Sequence, residues 1–248
     1  LEIHHDGDLP ARTGLGSSSS FTVGMLHALY ALKGIMPTKK RLALEAIHLE
    51  RNLLKENVGS QDQILAAIGG FNRVDFDPGN ENAYRETPIL IDAKRIQELQ
   101  SHMMLFFTGI SRYASNVAKK KIDNIPNNGK QLTTMYQMVE EGVSILTSGG
   151  CITDFGKLLH ESWMLKRELS DGISSQYIDE IYTAAKGEGA IGGKLLGAGG
   201  GGFMLVFAPP QQHSAIEHKL RDLLRVPFEF ESQGSQIVMF QPDMADLA

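Results

Sequence analysis

The spacing of apolar positions along the chain predicts helices and strands in mixed order. Leu1-Glu2-Ile3-His4-His5 alternates like a strand, so the chain begins, on this reading, in the middle of a fold. Helical patterns follow over 18–33 and 38–55, with Gly34 and Pro37 punctuating the pair and Leu42, Leu49 and Leu53 marking an apolar stripe on the second. After Gly59-Ser60-Gln61-Asp62-Gln63 come a short apolar helix over 64–68 and a strand over 71–76. Asp77-Pro78-Gly79-Asn80 is a turn, 88–91 reads as another strand, and the polar stretch 92–101 as a domain junction. The apolar run His102 to Phe107 has the continuity of a buried strand. Helical patterns recur over 112–123, 130–147, 153–169, 175–186 and 211–224, and strands over 203–207, 226–231 and 236–240. This mixture predicts an α+β fold, a sheet packed against helices, with no repeat of 20 to 50 residues.

Composition narrows the class. At 248 residues and 42% hydrophobic, the chain can bury a real core as one large domain or two small ones. A net charge of −5 gives no general attraction for nucleic acid or anionic membrane, and no apolar run approaches the ~20 residues of a membrane span. The basic run Lys119-Lys120-Lys121 reads as a solvated helix face or an anion contact. A single cysteine, Cys151, excludes an internal disulfide and fits a reducing cytoplasm, and no targeting pattern follows Leu1. His4 and His5 point to opposite faces of a strand, and His27, His48 and His160 lack a second ligand at metal spacing.

The chemistry concentrates in two glycine clusters. From Leu9 to Phe21, two glycines and four serines stand between a strand-like segment and a helical one, the composition of a phosphate cradle. Backbone N–H groups converge on an anion there, hydroxyls add donors and a metal ligand, and Leu15 anchors the loop in a core. The second cluster, Gly187 to Gly202, runs directly into the apolar 203–207 strand, so it reads as a tight loop that supports the first across a cleft. Neither matches the Walker or dinucleotide pattern. Phosphoryl transfer also needs a metal and a positioned acceptor hydroxyl. Magnesium takes a hydroxyl and a carboxylate readily, which Ser18 and Glu50 would supply. On spacing alone Glu50 reads first as an exposed helix residue beside Arg51. Asp62 opens a short helix, either as its cap or as a base for a substrate hydroxyl. Trp163, Phe106 and Phe107 lie within apolar patterns and read as core.

These residues carry a resemblance. Pro10 through Ser20 resembles the second motif of the galactokinase, homoserine kinase, mevalonate kinase and phosphomevalonate kinase (GHMP) superfamily, and Gly193 through Gly202 resembles its third. Thr108-Gly109-Ile110-Ser111-Arg112, Trp163, Ser170-Asp171-Gly172-Ile173-Ser174 and Tyr177-Ile178-Asp179 are similar to the D-glycero-D-manno-heptose 7-phosphate kinase branch. The resemblance implies a two-lobed fold. A ribosomal protein S5 domain 2-like lobe, incomplete here, would occupy 1–98, and a ferredoxin-like α/β lobe 99–248.

It also implies roles. Pro10, Arg12, Gly14, Leu15, Gly16, Ser17, Ser18 and Ser19, with Gly197, Gly199 and Gly200, would hold ATP. Ser18 and Glu50 would hold Mg²⁺, and Asp62 would be the catalytic base. The implied reaction is ATP-dependent phosphorylation of the anomeric hydroxyl of a heptose 7-phosphate. Arg112 and Lys194 are candidates for the remote phosphate, against a plain reading as surface charge or strand-end ion pair. The alternatives are a kinase of another sugar such as fucose, and a non-catalytic sugar and nucleotide sensor. The partners are a sugar phosphate and ATP, with no nucleic acid or membrane, and a homodimer stays open.

Two departures stand out. Leu196 takes the place of a serine or threonine common in relatives, and the family's amino-terminal first motif is absent. The second departure implies that this stretch alone is inactive although the full protein is a kinase.

Overall fold

A computed structural model of the chain describes residues 2–9, 13–77, 79–110 and 122–241. They fall into two compact units, each discontinuous in sequence. One comprises Ser18–Ile89 with Phe230–Ala248, the other Leu1–Ser17 with Leu90–Glu229. This grouping differs from a single cut at residue 98, because the amino-terminal glycine loop packs within the larger unit and the tail within the smaller.

The smaller unit is built on α1 (Ser17–Leu32), α2 (Lys39–His48), α3 (Gln61–Ile68) and a hairpin of β1 (Asn72–Asp77) and β2 (Asn80–Pro88). Thr38 caps α2, its hydroxyl accepting from the Arg41 N–H at 3.2 Å. The buried stripe runs Leu42, Ala43, Ala46, Ile47 and then Glu50, a helical spacing that aims a carboxylate where a core residue belongs. Leu53, expected on that stripe, is 65% exposed. The cause is local: residues Leu49–Leu53 form a single π turn, closed by Leu54 N–H to Leu49 O at 2.9 Å, which breaks the α spacing. The core of this unit joins Val23, Ile64, Ala67 and Tyr84 to the α2 stripe.

The β2 strand lies earlier than the expected 88–91. It pairs antiparallel with β1, Asn72 opposite Pro88 and Phe76 opposite Tyr84. Its sequence is mostly polar, with Tyr84 its buried side chain among those described, so periodicity gave no signal. The expected strand at 226–231 survives only at Val226, the end of a strand over 224–226, and those at 1–5 and 236–240 do not form among the described residues. The tail instead bonds singly to the end of α3 and the loop after it, through Gly70 N–H to Glu231 O and Ser235 N–H to Ala66 O, both 2.9 Å.

The larger unit carries α4 (Ala93–Ser101), β3 (Met103–Phe107), α5 (Gly129–Thr147), α6 (Ile152–Glu168), α7 (Gln176–Gly187), β4 (Gly192–Leu195), β5 (Phe203–Phe207), α8 (His213–Lys219) and β6 (Leu224–Val226). Its antiparallel sheet has the order β4-β5-β3-β6, with Leu105 opposite Leu205 and Val226. The expected junction at 92–101 is a helix, α4. Asp92 caps it at 2.9 Å from the Arg95 N–H, and buried Arg95 bonds Glu98 and the Ile145 carbonyl. The expected helix over 211–224 shortens to α8 behind a 3₁₀ turn, Pro210–Gln212, and most of the expected 112–123 helix lies outside the described residues. One core holds Met104, Phe106, Trp163, Ile178, Tyr182, Leu195, Met204 and Val206.

Strand β4 was not legible in the sequence, because two of its four residues are glycine. A methyl group at Gly192 would run into the Gly156 carbonyl of α6, so glycine is what lets this helix lie directly on the strand.

Candidate active site

The two glycine clusters meet in the larger unit. Gly14 and Gly197 have φ of +82° and +65°, backbone conformations that suit glycine. A Cβ on Gly197 would stand 2.7 Å from the Gly14 Cα and 2.8 Å from its carbonyl oxygen, so the loops touch backbone to backbone. The second loop is braced from behind as well. Gly200 N–H donates to the Ile173 carbonyl at 2.9 Å and Gly202 N–H to the Ile110 carbonyl at 2.8 Å. Thr108 bonds the Gly202 carbonyl by its N–H at 2.9 Å and its hydroxyl at 2.8 Å. The Gly200 N–H is therefore committed to the protein, and Gly199 and Gly200 are buried while Gly197 is exposed. Leu15, Gly16 and Ser17 are half-buried, consistent with an anchored loop.

In the smaller unit, Glu50 is 1% exposed. Its carboxylate accepts from the Ser19 hydroxyl at 2.8 Å, the Thr22 hydroxyl at 2.9 Å and the Gln63 amide. The alternative of an exposed glutamate beside Arg51 is thereby excluded; Arg51 bonds Ser60 instead at 3.3 Å. Ser18 is exposed at the start of α1, and it is Ser19, one residue on, whose hydroxyl reaches Glu50. The set around Glu50 is rich in oxygen, and among the described residues no cationic side chain bonds this carboxylate. Gln63 Oε1 is buried with no partner. Such a donor set fits a hard divalent cation.

Asp62 is the second residue of α3, with Ser60 at the cap position, so the reading of Asp62 as the cap does not hold. Asp62 lies at the surface, yet the protein around it strips water from the carboxylate and raises its pKa above the ordinary aspartate value. A hydrogen bond with Gln61 opposes that rise, and the Glu50 charge reinforces it.

Among the other expected positions, Lys194 is half-buried in β4 and already engaged in an interaction. Pro10, Arg12 and Arg112, with the Lys119–Lys121 run, lie outside the described residues. Trp163 and Phe106 are fully buried. Sequence reasoning missed Thr22 and Gln63. The signal for Thr22 was available: it follows Ser19 by three residues, on one face of α1. Gln63 reaches Glu50 through a tertiary contact that no local pattern announces.

Fold and loops together define a class. The GHMP kinases N terminal domain matches residues 1–70 and the GHMP kinases C terminal domain residues 143–226. The chain belongs to the GHMP kinase family. Within it, the chain is 30% identical to D-glycero-alpha-D-manno-heptose 7-phosphate kinase of Campylobacter jejuni over 89% of its own length and 65% of that protein's. It is 27% identical to the bifunctional fucokinase/GDP-fucose pyrophosphorylase of Arabidopsis thaliana, covering 93% of this chain and 22% of that one. Among solved structures, a D-glycero-D-manno-heptose 1-phosphate kinase from Bacteroides thetaiotaomicron superposes with a TM-score of 0.66 at 25% identity, covering 92% of this chain and 64% of that one. The chain thus spans about two thirds of the length of its heptose-kinase relatives. Among the described residues no helix is long and apolar enough to cross a membrane.

Proposed function

We propose that the protein carrying this chain is an ATP-dependent cytoplasmic kinase that phosphorylates the anomeric hydroxyl of D-glycero-D-manno-heptose 7-phosphate, giving the 1,7-bisphosphate. The observation that carries the kinase reading is the buried Glu50 carboxylate tied to hydroxyls of α1, the helix that opens directly after Gly14-Leu15-Gly16. The similarity to the Campylobacter jejuni enzyme supports the choice of sugar. In this reading residues 1–98 belong to the family's amino-terminal lobe and 99–248 to its carboxy-terminal lobe.

The roles follow from chemistry. Backbone N–H groups of the Gly14–Gly16 loop and hydroxyls of Ser17, Ser18 and Ser19 hold the ATP phosphates, with Pro10 and Arg12 in the same loop and the Gly197–Gly200 loop as its support. Glu50, with the Ser18 hydroxyl, would hold Mg²⁺, which when bound neutralises charge on the phosphates. Asp62 aligns the acceptor hydroxyl and takes its proton; its raised pKa makes it a stronger base than an ordinary aspartate. Arg112 and Lys194 are proposed to attract the 7-phosphate.

The fucokinase relative favours a second reading, in which the acceptor is a free sugar such as fucose. Both readings are separated from a sensor by Asp62→Asn. In a kinase this variant keeps Mg-ATP affinity and loses roughly 10²-fold or more in turnover, as expected for loss of a general base. Unchanged turnover would remove Asp62 from the mechanism.

A further inference from the structure

Lys166 lies on α6, three residues beyond Trp163, and is only 7% exposed. Its Nζ donates to the Leu195 carbonyl at 2.9 Å and to the Gly197 carbonyl at 2.7 Å. The ammonium stands 5.9 Å from the centroid of the Trp163 ring, whose face favours a cation. Burying an ammonium is costly, and an apolar side chain of the same length would fill this space without the desolvation penalty. Packing therefore does not account for a lysine here. What the lysine supplies is a pair of strong donors that fix two carbonyls on either side of Leu196.

The consequence follows from peptide geometry. In a trans peptide the C=O and the next N–H point in opposite directions. With the Gly197 carbonyl drawn toward Lys166, the Ala198 N–H is turned away from α6. Gly197 is also the residue that packs on Gly14, so orienting its peptide sets the seat of the first loop. The middle of the second loop is held separately, by Gly200 N–H on the Ile173 carbonyl. That segment is pinned in turn through Asp179, which accepts from Ser174 at 2.6 Å and from Arg167 at 2.7 Å. Loss of Lys166 thus frees the loop entry without releasing its middle.

We propose that Lys166 is a positioning residue for the nucleotide: it locks the Gly197–Ala198 peptide, and through Gly197 the Gly14 loop, in the orientation that presents N–H groups to the phosphates. This rests on the kinase reading above. The test is Mg-ATP binding by calorimetry to the full-length protein, as wild type, Lys166→Met and Lys166→Arg, with steady-state kinetics beside it. The Met variant should weaken Mg-ATP binding tenfold or more and raise the KM for ATP in step, with the KM for the sugar changed less than twofold. The Arg variant, which keeps the donors, should recover most of the affinity. A folded Met variant that binds Mg-ATP like the wild type, or one that loses ATP and sugar affinity in equal measure, overturns the inference. Should the Met variant not fold, Lys166→Leu, which also lacks a donor, carries the same test with the same outcomes. Failure of the wild type itself to bind Mg-ATP would overturn the kinase reading, and this inference with it.

Discussion

Glu50 and Asp62 are two carboxylates twelve residues apart in sequence, and their environments differ sharply. Glu50 is buried against three neutral donors. Removing it as Glu50→Ala leaves those donors without an acceptor and should cost about 2–3 kcal/mol of stability, read from urea unfolding. Glu50→Gln keeps the shape and most of the stability, and should weaken Mg²⁺-dependent nucleotide binding about tenfold. For Asp62 the sign is opposite. Its pKa is raised in the folded state, chiefly by desolvation, so its ionised form burdens the fold once the pH exceeds the ordinary aspartate value of 3.8. Asp62→Asn should therefore melt at a higher temperature than the wild type at pH 7, with the gap closing as the pH falls below 4. An equal melting temperature at pH 7 would contradict the desolvation assigned to this carboxylate. Both residues were legible as candidates from their type and position. The burial that distinguishes their environments was not, because it depends on where α2 lies in the core.

At the scale of elements, helices were the most readable part, since capped apolar stripes of period 3.6 announce themselves locally. Strands were read well where they bury large apolar side chains, as in β3 and β5, and poorly where they do not. The β2 strand is polar on most of its length, and β4 is glycine-rich because a helix presses on it. The tail segment 236–240 carries four consecutive apolar residues and reads as a strand, but no strand pairs with it among the described residues, and Val238 is 93% exposed. An apolar run states that burial would be favourable, not whether a partner strand exists. The glycine in β4 makes a sharp expectation. Gly192→Ala places a methyl against the Gly156 carbonyl, so either α6 lifts from the sheet or the strand shifts. The expected loss is about 2 kcal/mol or more, with faster amide exchange in β4 and β5. Wild-type stability in that variant would refute the close packing of α6 on β4.

Across the whole molecule, what escaped the sequence is distance. Gly14 and Gly197 are far apart in the chain, as are Gly69 and Gly234, and each pair approaches closely within its own unit. Reading either glycine cluster alone suggested a phosphate loop; the structure adds that one function of the glycines is to let the two loops touch. The tail contact has a comparable character. Gly234 has φ of +67° and a Cβ there would stand 2.5 Å from the Ala67 carbonyl, so Gly234→Val should detach the tail from α3. Hydrogen exchange should then rise at Gly70 and Ser235, whose N–H groups bond across that contact, and stay unchanged in β3 and β5. The measurement that bears most directly on the function is incubation of the full-length protein with Mg-ATP and a panel of free and phosphorylated sugars, following ADP release and locating the new phosphate. The expected result is turnover on D-glycero-D-manno-heptose 7-phosphate with the phosphate on the anomeric oxygen. Binding of Mg-ATP with no phosphate transferred to any sugar would contradict it.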